Sequence, residues 1–481
     1  MICISVAPTS RTLAPADLLN ASRRCDLIEV CLDHFIHEPN VGELTKLVDK
    51  PILVSCRREQ DGGHWKRSEA ERMHLLREAI VSGPAYVELD LEMAGQIPRF
   101  GRAKRVVAYT NLNRPISRID EIFTQCCKAD ADVVKLTWLT EDLDGAWPLL
   151  AAVTQPREVP IVGIGVGRSG LTFSLLSRKY GSPWIYAALE RGMEAFAQQP
   201  TVWQLNEDYR CGEINPKTRF VGIVGCGESE NIAARVFNAA FSRMDRPIRC
   251  LPLLPGDLSK FSKMLAKMKI NGLIVDPAYD GDLTSIVASR DEMATASSRI
   301  DVLKEGSGGW KGICTTFEAI EKAGIAVTGS SEWASRGTVT IIGNSAMARG
   351  AAKFFSDKGA AVNIAGPSDN AAATIAGAIS VRHVRWNAVQ DVRTDVVVFA
   401  DKGMSCGSAK GQVNPMMMRE RMTVVDLTVA LRGSAFADEA RSRGARYLDP
   451  VAVFAIQLNL QFHQLTGRDL PQDAFAEGLT E

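Results

Sequence analysis

The chain has 481 residues, of which 46% are hydrophobic and 23% charged, so it holds enough apolar residues for more than one folded core. Its 56 Lys and Arg residues balance 56 Asp and Glu residues, and no long basic run offers a surface for a phosphate backbone. This excludes nucleic acid as the main partner. The longest apolar stretches fall short of the ~18 residues that cross a bilayer, so we expect no membrane span and no membrane partner.

The 11 cysteines and six histidines form no CxxC pair, no HExxH motif and no Cys/His cluster, so we expect no metal site. The first residues carry no basic segment ahead of their apolar run, which is not typical of a secretory signal. These patterns predict a cytoplasmic protein with free, buried thiols.

The first 200 residues alternate short runs rich in Val, Ile and Leu with longer stretches of helical period, such as Ser68–Ser82. The predicted strands are Ile2–Val6, Leu27–Leu32, Pro51–Cys56, Tyr86–Leu91, Arg105–Tyr109, Val133–Thr137, Ile161–Gly165 and Trp184–Ala188. Strict alternation of strand and helix predicts parallel pairing with right-handed crossovers. Eight such units in about 200 residues predict a (β/α)8 barrel.

Charged residues stand where a barrel of this kind places its chemistry, at the carboxyl ends of the strands. Glu29 lies in the second strand, Arg57 follows the third, Glu88 ends the fourth and Lys135 lies in the sixth. Because its neighbours are apolar, burial disfavours the charged form of Lys135 and favours a free amine, which can attack a ketone to form a Schiff base. The alternative is a lysine at a strand end that reaches solvent.

The segments IEVCLD, PILVSCRREQDGG, AYVELDLE, ADVVKL and FAQQPTVWQL resemble, in order and spacing, type I 3-dehydroquinate dehydratase. The resemblance covers about residues 1–205. It implies a (β/α)8 barrel that dehydrates 3-dehydroquinate, a cyclic keto acid, through a lysine Schiff base without metal or cofactor. It also implies that Lys135 is the catalytic lysine and that Glu29, Arg57 and Gln199 bind the substrate.

Four positions depart from the family pattern. Cys31 replaces the arginine of the Glu-x-Arg-x-Asp strand motif, and Thr110 replaces the histidine that shuttles the proton. The substrate-binding Ser-Arg pair falls on Phe173 and Ser174, with Arg178 as a candidate replacement. Because a threonine hydroxyl is not basic near neutral pH, and loss of a positioned acid or base costs ~10²–10⁴-fold in rate, we expect an imine at Lys135 but slow elimination.

Further strand and helix patterns follow the barrel. A strand is predicted over Arg219–Gly225, a helix through Phe237–Phe241 and a strand over Gly272–Val275. A βαβ unit follows, and its predicted elements are the strand Val339–Ile342, the helix Met347–Lys358 and the strand Ala361–Ile364. The pattern is typical of the opening unit of a dinucleotide-binding fold.

The turn of this βαβ unit is the predicted cofactor-binding element. It comprises Gly343, Asn344, Ser345 and Ala346, so only one glycine of the usual fingerprint is present. The small residues allow the turn to form, but a close approach of phosphate to the backbone is less favoured. The alternative is a purely structural turn.

The segments YRCGEIN, TRFVGIVG, FNAAF, GLIVDPAY, TDVVVFADKGM, VVDLTV and QLNLQFHQLTG resemble shikimate dehydrogenase over about residues 206–481. A barrel followed by a dehydrogenase is the order of the bifunctional family of the shikimate pathway, which serves aromatic amino acid biosynthesis. The resemblance implies NADPH reduction of 3-dehydroshikimate, with Gln457 on the substrate side. The predicted domains are a barrel over 1–205, a substrate domain over 206–325 joined by the last helix, 451–481, and a Rossmann-like domain over 326–450.

The second half also departs from its family. Asp280 stands at the position of the catalytic lysine and Thr316 at that of the catalytic aspartate, while the two serines fall near Asn231 and Ala233. The motif that binds the NADP 2′-phosphate falls on 365–367, without its arginine. Because aspartate reverses the charge that faces an anionic substrate and removes the proton donor, we expect the dehydrogenase activity to be lost and NADP to be held poorly.

Three hypotheses follow from these residues. The chain is a shikimate-pathway enzyme that acts through Lys135, or a pseudoenzyme that keeps the fold as a ligand-binding or regulatory protein, or an enzyme for another substrate. Retention of Glu29, Arg57 and Gln199 favours the first for the barrel. Loss of the Lys and Asp pair favours the others for the second half.

Overall fold

A computed structural model of the protein describes residues 1–225, 228–277, 279, 281–409, 411–428, 434 and 436–479. The ten cysteines within these ranges are all free, and eight of them are buried. No helix in the described part of the chain is long and apolar enough to span a membrane.

The amino-terminal region alternates strands and helices as its sequence predicts. Its elements are β1 (Ile2–Val6), α1 (Ala14–Ser22), β2 (Leu27–Cys31), α2 (Val41–Leu44), β3 (Ile52–Ser55), α3 (Glu69–Val81), β4 (Tyr86–Asp90), α4 (Leu91–Gln96), β5 (Lys104–Asn111), α5 (Ile119–Lys128), β6 (Val133–Leu139), α6 (Leu143–Thr154), β7 (Ile161–Val166), α7 (Gly170–Lys179) and β8 (Ile185–Ala188). The first residues of α3 show how local chemistry sets a boundary. The Ser68 side chain accepts from the Glu71 backbone, and the Glu71 side chain accepts from the Ser68 backbone, which forms a capping box.

The eight strands pair in the order β7-β6-β5-β4-β3-β2-β1-β8, and every pair is parallel. This confirms the predicted (β/α)8 barrel, and the predicted strand ends differ from the observed ones by only one or two residues. Parallel strands that are covered on both faces appear in the sequence as short apolar runs, and for this reason the sequence predicts these strands correctly. The strand interiors are accordingly almost entirely buried.

The register of β5 on β6 positions the centre of the barrel. Ala108 pairs with Lys135, and Thr110 pairs with Thr137. Because side chains alternate along a strand, all four of these residues point to the same side of the sheet, into the barrel. Val106, two residues before Ala108, belongs to the apolar cluster inside the barrel.

The rest of the chain continues with mixed elements. They are β9 (Arg219–Val224), α8 (Glu228–Arg243), β10 (Ile248–Leu253), α9 (Leu258–Met268), β11 (Gly272–Val275), β12 (Ser289–Arg290), α10 (Glu292–Ser297), β13 (Val302–Gly306), β14 (Gly309–Ile313), α11 (Thr316–Thr328), β15 (Thr338–Ile342), α12 (Ala346–Asp357), β16 (Ala361–Ala365), α13 (Asp369–Ile379), β17 (Arg382–His383), β18 (Val396–Phe399), β19 (Thr423–Asp426), α14 (Ala437–Ser442), β20 (Arg446–Tyr447), α15 (Pro450–Thr466) and α16 (Ala474–Leu479). Short helical turns lie at Leu32–His34, Glu59–Asp61, Gln204–Asp208, Cys211–Glu213, Thr284–Ile286, Trp386–Asp391 and Pro415–Met417.

The chain divides into two compact units. Unit 1 comprises Met1–Cys226 and Phe241–Ile270, and unit 2 comprises Gly227–Ala240 and Asn271–Glu481. Besides the barrel, unit 1 holds the parallel pair β9 and β10. The domain boundaries at 205, 325 and 450 stay predictions.

Unit 2 contains a parallel sheet in the order β17-β16-β15-β18-β19-β20. Numbered from its first strand, this order is 3-2-1-4-5-6, which is the Rossmann order and confirms the predicted fold of this part. A second group of strands, β11-β13-β14-β12, includes the antiparallel pairs β11/β13 and β13/β14. In the Rossmann sheet the first crossover, from β15 through α12 to β16, contains the turn at Gly343.

Candidate functional site

A buried cluster of four charged side chains lies in the barrel. Lys135 Nζ is 2.6 Å from Glu88 Oε2 and 3.6 Å from Glu29 Oε1. Arg57 donates to the same Glu29 oxygen at 3.0 Å. Lys135 is 1% exposed and Glu29 is fully buried. The barrel thus brings together the predicted residues Glu29, Arg57 and Lys135, and adds Glu88, to which the sequence assigned no role.

The strands and one tight turn explain this arrangement. Glu29, Glu88 and Lys135 lie on β2, β4 and β6, with side chains directed into the barrel. Arg57 follows β3, and the chain then turns back so that an added Cβ on Gly63 would lie 2.2 Å from the Arg57 carbonyl oxygen. Only glycine permits this approach, which holds the Arg57 backbone in place.

The two carboxyl groups of the cluster differ in their affinity for a proton. Burial alone would raise the pKa of Glu29, but the Arg57 guanidinium and the Lys135 ammonium lower it to about 2. Burial raises the pKa of Glu88, and the nearby Lys135 ammonium opposes this only in part. Glu29 is therefore a fixed anion at neutral pH, whereas Glu88 is the better proton acceptor.

Gln199, a predicted substrate-binding residue, is connected to the cluster through Ser5. Its Nε2 donates to Ser5 Oγ at 3.2 Å, and Ser5 donates to Glu29 Oε2 at 2.5 Å. The Gln199 Oε1 atom accepts from the Ala195 backbone at 3.0 Å, which fixes the loop that carries it. Gln199 is 5% exposed, so this loop closes the barrel over Glu29.

Phe196, on the same loop, covers the cations. Its ring centre lies 4.5 Å from the Arg57 guanidinium carbon and 5.9 Å from Lys135 Nζ. A cation over an aromatic face is attracted to it, so the ring stabilises both charges while it excludes water from them. The sequence did not assign a role to Phe196, although this residue begins the segment FAQQPTVWQL, because its contact with the two cations follows only from the tertiary fold.

The positions that depart from the family pattern lie in different places. Thr110 is half-buried near the carboxyl end of β5. Phe173 packs against the strand backbone at Gly163, and Ser174 donates to its own helix at Gly170.

Arg178 was expected to be a candidate for the missing arginine, and this expectation is wrong. Arg178 lies in the last turn of α7, where the helix of a parallel βα unit has returned to the amino-terminal ends of the strands. These ends lie opposite the carboxyl ends of the strands. A side chain at the end of α7 therefore points away from Lys135.

Unit 2 contains a cavity of about 1070 Å³ that Gln457 and Thr316 both line. Gln457 donates to Thr316 Oγ1 at 3.1 Å, and Thr316 donates to Asp301 Oδ2 at 2.8 Å. Asp301 also accepts from Arg299 at 2.6 Å and from the Thr315 backbone at 2.8 Å. Burial would raise the pKa of Asp301, but the Arg299 charge and these hydrogen bonds lower it. Because its oxygens already accept these bonds, Asp301 does not take over the role of the family aspartate whose position Thr316 occupies.

The predicted cofactor turn at the start of α12 is occupied by a side chain of the protein itself. Asp401 Oδ2 accepts from the Asn344 backbone at 2.6 Å, and Asp401 Oδ1 accepts from the Ser345 backbone at 3.1 Å. An added Cβ on Gly343 would lie 2.5 Å from Asp401 Oδ1, so glycine is needed here to admit the carboxylate. Ser345 caps α12, and Ala346 is its first residue.

The other predicted positions of unit 2 add no charge to this turn. Asn231 and Ala233 lie on α8, and Gly366 follows β16 with an added Cβ only 2.0 Å from the Asn344 side chain. Asp280 lies outside the described residues.

Comparison with known proteins gives matches over both halves of the chain. The type I 3-dehydroquinase family matches residues 2–216. The bifunctional 3-dehydroquinate dehydratase/shikimate dehydrogenase of Arabidopsis thaliana, a chloroplastic protein, is 24% identical over 479 residues, which cover 94% of this chain and 79% of the relative. A 3-dehydroquinate dehydratase of Dehalococcoides mccartyi (strain ATCC BAA-2100) is 26% identical over 204 residues, 41% of this chain and 91% of that protein.

Among solved structures, the dehydroquinate dehydratase and shikimate dehydrogenase from S. pombe AroM covers 100% of this chain and 98% of its own, at 16% identity and a TM-score of 0.45. A shikimate dehydrogenase in complex with NADP+ covers 56% of this chain and 98% of its own, at 18% identity and a TM-score of 0.47.

Proposed function

Because residues 2–216 belong to the type I 3-dehydroquinase family, we propose that the barrel of this protein dehydrates 3-dehydroquinate, or a closely related cyclic keto acid, through an imine on Lys135. The observation that supports this most is the position of Lys135, buried inside the barrel between two carboxylates and next to Arg57. No nucleic acid or membrane takes part.

The first step needs a neutral amine, and Glu88 is positioned to provide it. At 2.6 Å from Lys135 Nζ, Glu88 accepts the proton that the ammonium must lose before its lone pair attacks the ketone carbon. A carbon–nitrogen bond then forms, and the ketone oxygen leaves as water. Glu29, which stays ionised, balances the charge of the imine.

The second step is elimination, and here the site is poorly equipped. The protonated imine acidifies the adjacent carbon–hydrogen bond, so that loss of this proton and departure of the β-hydroxyl as water give a conjugated imine. Addition of water to this imine then breaks the carbon–nitrogen bond, releases the conjugated enone and restores the Lys135 amine. Thr110 supplies no base for this proton and no acid for the leaving hydroxyl. Glu88 is the one described acid or base within hydrogen-bond distance of Lys135 Nζ, so elimination depends on it and is slow.

Access requires the loop that carries Phe196 and Gln199 to open. Lys135, Arg57 and Gln199 are each at most 5% exposed, so a cyclic ligand reaches the amine only after Phe196 leaves the cations. Displacement of the ring breaks two cation–π contacts, each worth about 0.5–2 kcal/mol.

We expect the wild-type chain to convert 3-dehydroquinate slowly to a conjugated enone, followed by ultraviolet absorbance. Glu88→Gln should lower this rate by about 10²-fold or more, because it removes the proton acceptor beside Lys135. The matched control is Glu92→Gln, since Glu92 is exposed, pairs with Arg58 and is not part of the buried cluster. Complete absence of turnover in the wild type would favour the alternative, a ligand-binding pseudoenzyme whose buried ion cluster is only structural.

For unit 2 we propose that NADP(H) is not held and that the dehydrogenase activity is lost. The residues do not fit the cofactor, because Asp401 already occupies the backbone N–H groups of Asn344 and Ser345 that would bind a pyrophosphate. No arginine follows β16 to bind a 2′-phosphate, since Gly366 and Pro367 stand there. Hydride transfer from NADPH is therefore not expected in this chain.

We expect a titration of NADPH fluorescence with the wild-type chain to show no saturation below about 1 mM, an affinity weaker than ~4.1 kcal/mol. Asp401→Ala frees both N–H groups and removes a negative charge, so it should strengthen NADPH binding at least tenfold (~1.4 kcal/mol). Asp395→Ala is the control, because Asp395 binds the Thr338 backbone at the opposite end of β15. Saturation at micromolar NADPH in the wild type would refute the proposal.

A further inference from the structure

Three side chains with metal-binding atoms meet where the chain leaves β2 and β3. Asp33 and His34 end the helical turn after β2, and His64 follows the turn after β3. Asp33 Oδ2 is 3.7 Å from His34 Nε2, and the two imidazole ring centres are 4.1 Å apart. One ligand atom from each of the three residues lies within 4.8 Å of the other two.

The backbone holds the carboxylate of this cluster in place. Asp33 Oδ1 accepts from the Arg57 backbone at 3.1 Å, and Asp33 Oδ2 accepts from the His64 backbone at 2.9 Å. Each oxygen keeps a second lone pair. His34 Nε2 is buried and finds no hydrogen-bond partner among the described residues, so its lone pair is also available.

We propose that Asp33, His34 and His64 bind a divalent transition-metal ion, of which Zn²⁺ and Co²⁺ are the best candidates. Two imidazole nitrogens and one carboxylate oxygen are the ligands that such ions prefer, whereas Mg²⁺ and Ca²⁺ prefer oxygen throughout.

The ligand atoms must move closer together to hold an ion. A tetrahedral ion with bonds of about 2.0–2.1 Å holds its ligand atoms roughly 3.3 Å apart, whereas here they lie within 4.8 Å of one another. His64 is exposed and lies in a loop, so it is free to make this movement, whereas Asp33 is fixed. Three protein ligands leave one coordination position open for water or for a carboxylate oxygen of a ligand.

This site departs from the expectation of no metal, and nothing in the spacing of the sequence indicates it. Asp33 and His64 are 31 residues apart and meet because β2 and β3 are neighbours in the sheet. The site does not depend on the reaction at Lys135. Its ion would lie beside the Arg57 backbone and add positive charge to the entrance of the barrel.

The test is a titration of the full chain with Co²⁺, followed by visible absorption, together with calorimetry of Zn²⁺ binding. We expect one ion per chain and a nitrogen- and oxygen-type Co²⁺ spectrum. His64→Gln should weaken binding at least tenfold, and His34→Gln should do the same. His37→Gln is the matched control, because His37 is exposed, close in sequence and outside the cluster, and it should leave binding unchanged.

Two results would overturn the proposal. One is a wild-type chain that binds neither ion, or that binds equally well after His64→Gln. The other is an intense near-ultraviolet sulfur-to-cobalt band, which would place the ion on a cysteine. Because His64 is exposed, its replacement should not unfold the chain, and circular dichroism of each variant checks this.

Discussion

Thr110→His is expected to raise the rate of 3-dehydroquinate dehydration by about 10²–10⁴-fold over the wild type. Thr110 pairs with Thr137 on β6, two residues beyond the Ala108–Lys135 pair. The alternation of side chains along the strand directs position 110 to the same interior as Lys135. An imidazole there would supply the acid and base that the elimination lacks, while Lys135, Glu29 and Arg57 keep their contacts.

The measurement is the rate of enone formation at saturating ligand as a function of pH. The extra rate of Thr110→His should appear as the pH rises and the imidazole loses its proton, which happens at pH ~6.5 for an unperturbed histidine. Tyr109→His is the control, because its side chain faces the opposite side of β5 and should give no gain. No increase in Thr110→His, in a folded variant that still forms the imine, would show that proton transfer does not limit the rate.

Both the barrel and the Rossmann sheet could be predicted from the sequence. Each parallel strand is covered on both faces and becomes a short run of Val and Ile, and each helix carries its own boundary signals, such as Ser68 before α3. Such patterns depend only on residues that are close in sequence, so they can be recognised without knowledge of tertiary contacts. The pattern also marked Lys135 as a charged residue inside an apolar strand, but it left open whether this lysine reaches solvent. Its catalytic role was predicted only from the resemblance to type I 3-dehydroquinate dehydratase.

The contacts within both sites could not be predicted from the sequence, because they join segments that are distant along the chain. Asp401 reaches the backbone of Asn344 from 57 residues away, and no motif marks a carboxylate that fills a phosphate-binding turn. Phe196 covers Arg57 from a loop without periodicity. Glu88 was visible at a strand end, but its distance to Lys135 follows only from the closure of the barrel.

The second large effect concerns Lys135 itself. Lys135→Met is expected to abolish every covalent adduct between the barrel and a keto acid, because no other amine lies in the buried cluster. Removal of one partner from a buried ion pair costs about 3–5 kcal/mol, so the variant should also unfold at lower urea concentration. Protonation of Glu88, whose pKa burial already raises, limits this loss and allows the variant to fold.

Lys104→Met is the matched control. Lys104 starts β5 and is exposed, so its replacement should leave the adduct on Lys135 unchanged. It should change the free energy of unfolding by no more than about 0.5 kcal/mol. If Lys135→Met fails to fold, mapping of the adduct in the wild-type chain still tests the claim, since it needs no variant.

The most direct measurement is therefore reductive trapping. The wild-type chain is incubated with 3-dehydroquinate, the imine is reduced with borohydride to a stable secondary amine, and the modified peptide is located by mass spectrometry. We predict one adduct per chain, on Lys135, absent from Lys135→Met and retained in Lys104→Met. An unmodified Lys135 at saturating ligand, or modification spread over exposed lysines, would contradict the account.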